Sequence, residues 1–335
     1  MYFLLFIPIL TCAIIAYSQS YLILLLYNIM DTQKCDTFFK TVFSKGGLCF
    51  SLAVLLLVLL YTKKVEGFDE REKNNKEFTL VVGKNIYDDF YSKIYDSLVM
   101  DQAKNDFEIM NIINITKPTS NSVFLDIGSG TGHHVGQLHN SKYDVTGVDI
   151  SPSMNAIASK NYPDSTFKTG DCLNTMMFTS GSVSHILCLY FTIYYMKDKK
   201  LFFGNCNHWL SPDGFLILHL VDREKFDPII PAGNPFKIVS PQKYADERIT
   251  KTNVNFNGFD YKAFFDFKNE NVSIFNETFV PKKNGKTRQN EHVFYMEPHL
   301  EILTIAKSCG FKLIKKIDMV KCGYDNQFLC ILQKI

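Results

Sequence analysis

The sequence predicts an α/β fold carried behind two membrane-spanning helices, and three observations lead there. Between Val123 and Ser151 an apolar run ends in Asp126 and breaks into the alternating glycines Gly128, Gly130 and Gly132. A short helical segment follows, then a second apolar run, Val145 to Val148, that ends in Asp149. The order is strand, glycine turn, helix, and strand ending in a carboxylate, an arrangement by which α/β folds hold an adenosine-containing cofactor. Downstream, apolar runs alternate with helical segments to the C-terminus, and upstream two long uncharged stretches occupy residues 1–62.

Residues 1–62 read as a membrane anchor. Met1 to Met30 contains no charged side chain, and Gly46 to Thr62 is a second uncharged stretch centred on LAVLLLVLLY. A hydrocarbon core takes about 20 helical residues, with roughly 17 as the lower limit, so both lengths suffice. The loop 31–45 holds Lys34, Lys40 and Lys45, whereas Lys63, Lys64, Arg71, Lys73 and Lys76 follow the second stretch in a charged linker, residues 63–84. This excess of positive charge orients the pair as a hairpin with the downstream domain in the cytosol. Two other readings stay open. Ala16-Tyr17-Ser18 has the small-x-small form of a signal-peptide cleavage site, although no basic region leads it, and the second stretch could be a buried helix of a soluble domain.

The domain that follows, residues 85–335, opens with NIYDDFYSKIYDSLVMD, in which Tyr87, Tyr91 and Tyr95 recur every four residues and so share one face of a helix. Next comes the glycine turn. A dinucleotide fingerprint, G-x-G-x-x-G, sets bare amides of a helix N-terminus against a pyrophosphate; here the sixth position is His133, which weakens a nicotinamide or flavin reading. A carboxylate beside the turn, Asp126, would repel a phosphate and suits a cationic ligand.

The pattern D-x-G-x-G-x-G, with an acidic residue closing the next strand, resembles class I S-adenosylmethionine-dependent methyltransferases. The resemblance covers about residues 86–335. It implies a doubly wound, seven-stranded Rossmann-like sheet and S-adenosylmethionine as cofactor. It also implies that Asp126 sits near the ammonium of the methionine moiety and that Gly128, Gly130 and Gly132 let the backbone approach the ligand. Asp149, with Ile150 next to it, would accept hydrogen bonds from the ribose hydroxyls, and Tyr95, in a Y-x-x-x-Y-D segment, would close over the cofactor.

Later elements follow in the family's order. Thr166 to Asn174 gives a third strand ending at Gly170-Asp171, where the resemblance sets Asp171 and Cys172 against the adenine edge. His185 to Met196 reads as a buried fourth strand running into the loop that faces the methyl group, and Leu210 to Asp222 as a helix end, a Pro-Asp-Gly turn and the fifth strand. Residues 223–298 are an insertion. Alternating apolar and polar residues across the Asn-Gly of PKKNGK read there as antiparallel strands. A last helix capped by Gly310 and two closing strands, an antiparallel pair at the sheet edge, complete the domain.

Methyl transfer is an in-line displacement, so the protein mainly aligns and desolvates the reactants and takes a proton from an amine or hydroxyl acceptor. In an open α/β sheet that site lies at the carboxyl ends of the strands. His219, near the end of the fifth strand, is the candidate general base, and Tyr190 and Tyr194, after the fourth, are the candidate groups around the methyl. LYFTIYY stands where an Asn-Pro-Pro-Tyr or Asp-Pro-Pro-Tyr element would follow the fourth strand, which disfavours DNA adenine and glutamine N-methylation.

Lys plus Arg total 36 against 34 Asp plus Glu, a formal net charge of +2, so there is no electrostatic footprint for nucleic acid. Cysteines number 9, with no CxxC pair and no Cys/His cluster at zinc spacing, so no metal site is expected. A β-rich, aromatic insertion of this kind roofs the active site in methyltransferases of small amines, amino acids and sugars. The expected function is therefore N- or O-methylation of a small-molecule or lipid-like acceptor at a membrane. A protein methyltransferase working on a membrane-proximal partner and a non-catalytic S-adenosylmethionine-binding scaffold are the alternatives.

Overall fold

The computed structural model describes residues 78–233, 241–267 and 270–335. The expected membrane helices and most of the linker lie outside these residues. Among the described residues, no helix is long and apolar enough to cross a membrane.

In chain order the elements are β1 (Phe78–Val82), α1 (Asp89–Val99), α2 (Gln102–Thr116), β2 (Val123–Ile127), α3 (His133–Asn140), β3 (Asp144–Asp149), α4 (Pro152–Asn161), β4 (Thr166–Thr169) and β5 (Val183–Cys188). There follow α5 (Lys199–Trp209), β6 (Leu210–Val221), β7 (Lys251–Asn255), β8 (Phe259–Asp266), β9 (Val272–Pro281), β10 (Thr287–Tyr295), α6 (His299–Ser308), β11 (Phe311–Met319) and β12 (Tyr324–Lys334). Residues 78–82, read from sequence as linker, are thus a strand. The tyrosine-rich segment divides into a 3-10 turn, Gly83–Ile86, and α1, which Asp88 caps by accepting from the Phe90 and Tyr91 N–H groups.

One sheet has seven strands in the order β4-β3-β2-β5-β6-β12-β11. Strands β2 to β6 run parallel, and β12 is antiparallel to both β6 and β11. Strands covered on both faces read as near-continuous apolar runs: Phe124, Leu125, Ile186, Leu187, Leu216, Ile217 and Leu218 are all fully buried. Helix α5 contributes Phe202, Phe203, Cys206 and Trp209, also fully buried. β11 forms one edge and carries exposed Lys312, Lys315 and Lys316, charges that discourage pairing with another chain. The chain turns one way from β2 through β3 to β4 and the other way to β5 and β6. The switch point between β2 and β5 is where a ligand crevice forms in such sheets.

The second sheet has the order β1-β10-β9-β8-β7. β7 to β10 form an antiparallel meander, and β1 adds in parallel to β10. Period-two alternation sends Tyr261, Ala263 and Phe265 of β8, Phe275, Glu277 and Phe279 of β9, and Asn290, His292 and Phe294 of β10 to one buried face. That face packs toward the loop after β5, with Phe191 and Phe294 ring centroids 5.4 Å apart.

Candidate active site

The cleft floor is the turn after β2. Gly128 N–H and Ser129 N–H both donate to the Val148 carbonyl, at 2.7 and 3.1 Å, which folds the turn against β3. Gly128 and Gly130 have φ of +71° and +55°, in the left-handed region that favours glycine. The reasons for their small size differ. A Cβ on Gly128 would lie 2.5 Å from Thr192 Cγ2, whereas one on Gly130 would meet only Tyr95 Cε1, at 3.7 Å. Gly128 is squeezed by protein, and Gly130 faces the cleft.

Two carboxylates flank this turn. Asp126, only 2% exposed, has its carboxyl pushed up to about 7 by burial; Glu108 and Asp149 add to the rise, and His134 and Lys104 oppose it. Asp149 closes β3, and its carboxylate accepts from Gly130 N–H at 3.0 Å and from Ser151 N–H at 2.8 Å. Burial pushes its pKa up, against the pull of those two N–H groups.

Two polar clusters run from the cleft walls into the interior. In one, Glu108 of α2 is fully buried, 2.8 Å from Lys104 Nζ, 2.9 Å from His134 Nε2 and 3.5 Å from His219 Nδ1. Burial alone would raise the Glu108 carboxyl, but Lys104, His134 and His219 together hold it at about 2. In the other, Glu277 accepts from the Tyr91 and Tyr261 hydroxyls on Oε1 and from Asn290 Nδ2 and His292 Nε2 on Oε2, over 2.7–3.0 Å. The His292 Nδ1 edge meets the Tyr195 hydroxyl at 2.6 Å, and that hydroxyl lies 2.7 Å from Tyr87 Oη.

Tyr95, Asp126, Gly128, Gly130 and Tyr190 come together as lining of one cleft, opposite Phe275, His292 and Phe294 of the second sheet. Tyr190 has φ of +51°, a strained backbone of the kind held at functional positions. The other sequence candidates do not line this cleft. Gly132 packs on Phe167, Asp149 lies under Gly130, and Ile150 is 41% exposed. Asp171 accepts from Leu173 N–H, and burial pushes the half-buried Cys172 thiol up to about 12. Tyr194 is fully buried, and its hydroxyl accepts from Val221 N–H at 2.8 Å.

His219 is also fully buried. Its Nε2 donates to Gln327 Oε1 at 2.9 Å, and burial pushes the imidazole down to about 4. His219 thus does not line the cleft: Glu108 of α2 lies against it, and Gln327 of β12, the neighbouring strand in the same sheet, takes its Nε2. Sequence reasoning did not single out His292, Glu277, Tyr195 or Lys104. A signal was present for two of them: Glu277 and His292 occupy the apolar phase of otherwise alternating strands.

Residues 125–218 match the protein family described as "Methyltransferase domain". The chain carries an S-adenosylmethionine-dependent methyltransferase domain. The match spans the carboxyl ends of β2, β3 and β5 and therefore the whole glycine-turn floor. A curated relative of the methyltransferase domain is the dTDP-4-amino-2,3,4,6-tetradeoxy-D-glucose N,N-dimethyltransferase of Saccharopolyspora spinosa, 27% identical over 134 residues. That alignment covers 39% of this chain and 52% of the relative, so the chain spans about half the relative's length. Two solved structures share the fold. An S-adenosylmethionine-dependent methyltransferase from Clostridium acetobutylicum superposes with a TM-score of 0.56 at 16% identity, covering 73% of this chain and 96% of that one. CalS10, an amino pentose methyltransferase from Micromonospora echinaspora solved with S-adenosylmethionine bound, gives 0.51 at 16% identity, over 76% and 100%. The methyltransferase domain uses S-adenosylmethionine, and its residues fit that group: a glycine floor open at Gly130 beside a buried carboxylate, Asp126.

Proposed function

We propose that this chain methylates the amine of a small-molecule acceptor, an amino sugar or a similarly compact amine, held beneath the second sheet. The observation that carries this reading is the cleft itself, where the glycine-turn residues Gly128 and Gly130 face the ring-lined underside of the insertion, Phe275, His292 and Phe294. A roof of that kind excludes water and encloses a compact acceptor. Two relatives named for amino sugars support an amine as the acceptor group.

When bound, S-adenosylmethionine supplies an electrophilic methyl on a sulfonium. In this reading Asp126 pairs with the ammonium of the methionine moiety, and Asp149 exchanges its bond with Gly130 N–H for the ribose hydroxyls. Tyr95 and Tyr190 flank the transferring methyl. Ile150, Asp171 and Cys172 border the adenine. Residues 1–62 tether the domain to the cytosolic face of a membrane, a role supported by their two uncharged stretches.

Calorimetric titration of the full chain with S-adenosylmethionine and S-adenosylhomocysteine, beside Asp149→Ala, tests the cofactor site. Weakening by about tenfold or more, roughly 1.4 kcal/mol, is expected. Incubation with a panel of nucleotide-linked amino sugars and simple amines, followed by mass analysis for added methyl groups, tests the acceptor. Methylation of hydroxyl or protein acceptors alone would refute the amine assignment.

A further inference from the structure

The second sheet does more than roof the cleft. Glu277 on β9 and Asn290 on β10 face each other in register, and so do Phe275 and His292. This register places a carboxylate, a histidine and two tyrosines in one buried line that ends at the cleft, where Tyr87, Tyr195 and His292 are all lining residues.

We infer that Tyr87, Tyr195, His292 and Glu277 form a proton relay that carries the acceptor's proton away from its nitrogen during methyl transfer. The inference rests on the amine reading above and names the residues that complete it. The hydrogen-bond order follows from the ends inward. Glu277 is fully ringed by donors, and although burial alone would raise its carboxyl, His292, Asn290 and Tyr261 hold it below its ordinary value. An ionised Glu277 requires His292 Nε2 to be the N–H side, at 2.7 Å. In the relay's resting state the His292 ring is neutral, so Nδ1 accepts from the Tyr195 hydroxyl at 2.6 Å, and that hydroxyl accepts from the Tyr87 hydroxyl at 2.7 Å. That order leaves Tyr87 Oη with lone-pair capacity at the cleft.

The step balances without a further reactant. The acceptor nitrogen's lone pair forms the new C–N bond as the methyl–sulfur bond breaks, leaving S-adenosylhomocysteine and an alkylammonium. That ammonium passes a proton to Tyr87 Oη, the Tyr87 proton moves to Tyr195, and the Tyr195 proton moves to His292 Nδ1. Both tyrosines end neutral, and the new imidazolium is paired with Glu277. Burial pushes the Tyr87 and Tyr195 hydroxyls well above their ordinary pKa, so they conduct a proton rather than lose one. The titratable groups facing His292 are Glu277 from β9, Tyr195 from the turn after β5, and Tyr87 and Tyr91 from the segment ahead of α2, with Tyr261 of β8 behind Glu277. In the relay Tyr87 takes the proton from the acceptor, and Tyr195, His292 and Glu277 act through it.

The test is steady-state kinetics of the full chain over pH 6–9, with the amine methylated most rapidly in the panel above. Tyr195→Phe cuts the line at its middle while keeping the ring, and Tyr87→Phe cuts it at the cleft. The expected result is a fall in kcat of about tenfold or more in each, with S-adenosylmethionine affinity by calorimetry within about twofold and a wild-type melting curve. A fall in kcat of similar size in His292→Gln is expected as well. Wild-type kcat and an unchanged pH profile in both phenylalanine variants would overturn the relay and leave the amine reading standing. Binding of S-adenosylmethionine without methylation of any amine would overturn both.

Discussion

Asp126 carries two demands that oppose each other. A buried carboxylate with a pKa near 7 is costly when ionised, and that cost is relieved by a cationic ligand. At pH 7 roughly half a proton is bound to it, so S-adenosylmethionine binding should release about half a proton per site. Titrations in buffers of different ionisation enthalpy measure this, and binding without proton release would place the ammonium elsewhere. Because the folded pKa lies above the unfolded value, the stability cost is full above about pH 7, shrinks as pH falls below it, and is gone only once pH reaches the ordinary carboxylate range. Asp126→Asn should therefore raise the melting temperature at pH 8, by up to about 4 kcal/mol of stability, while weakening cofactor binding. The two glycines separate in the same way. Gly128→Ala drives a Cβ into Thr192 at φ +71° and should cost about 1–3 kcal/mol of stability. Gly130→Ala has space around its Cβ, so its larger effect should be on calorimetric affinity rather than on melting temperature.

At the scale of the element, β5 and β6 each bury a histidine, His185 and His219. His185 of β5 stacks between Phe124 and Phe215, with centroids 4.4 and 5.4 Å away, and burial pushes it down to about 4. His219 of β6 is pushed down to about 4 for the same reason, against the pull of Glu108. The unfolded chain then binds protons below about pH 6.5 that the folded chain refuses until about pH 4. Stability is lost as pH falls through this window, by about 3 kcal/mol for each fully buried histidine. His185→Phe should flatten the fall in melting temperature between pH 6.5 and 4, while Asp126 pulls the opposite way over much of that range. A melting curve as acid-sensitive as wild type would show that His185 titrates normally in the fold.

For the whole molecule, the described residues fall within one compact unit, Lys76–Ile335. If the anchor only sets an address, a chain beginning at Lys76 should bind S-adenosylmethionine within about twofold of the full chain. The full chain should stay with membranes through carbonate washing and leave them only in detergent, whereas the shorter chain should remain in the supernatant. Release of the full chain by carbonate would remove the tether.

The floor of the site was legible in residues 123–151 because it is local. The alternating glycines, Asp126 ahead of them and Asp149, which accepts from Gly130 N–H, lie within one strand–turn–helix–strand unit, whose geometry short-range sterics dictate. The alternation in residues 223–298 likewise announced antiparallel strands. The line of the proposed relay was not legible, since Tyr87 was read only as part of a tyrosine stripe, and Tyr195, Glu277 and His292 come from three other segments. Only strand register across β9 and β10, and the packing of that sheet over the turn after β5, bring them into one line. The depth of His219 was not legible for the same reason. Its place near the carboxyl end of a strand is a property of sequence, but its burial is set by α2, which lays Glu108 against it, and by Gln327 on the neighbouring strand β12. Local backbone preference writes a cofactor turn into consecutive residues, whereas the depth of a side chain depends on which distant elements pack against it.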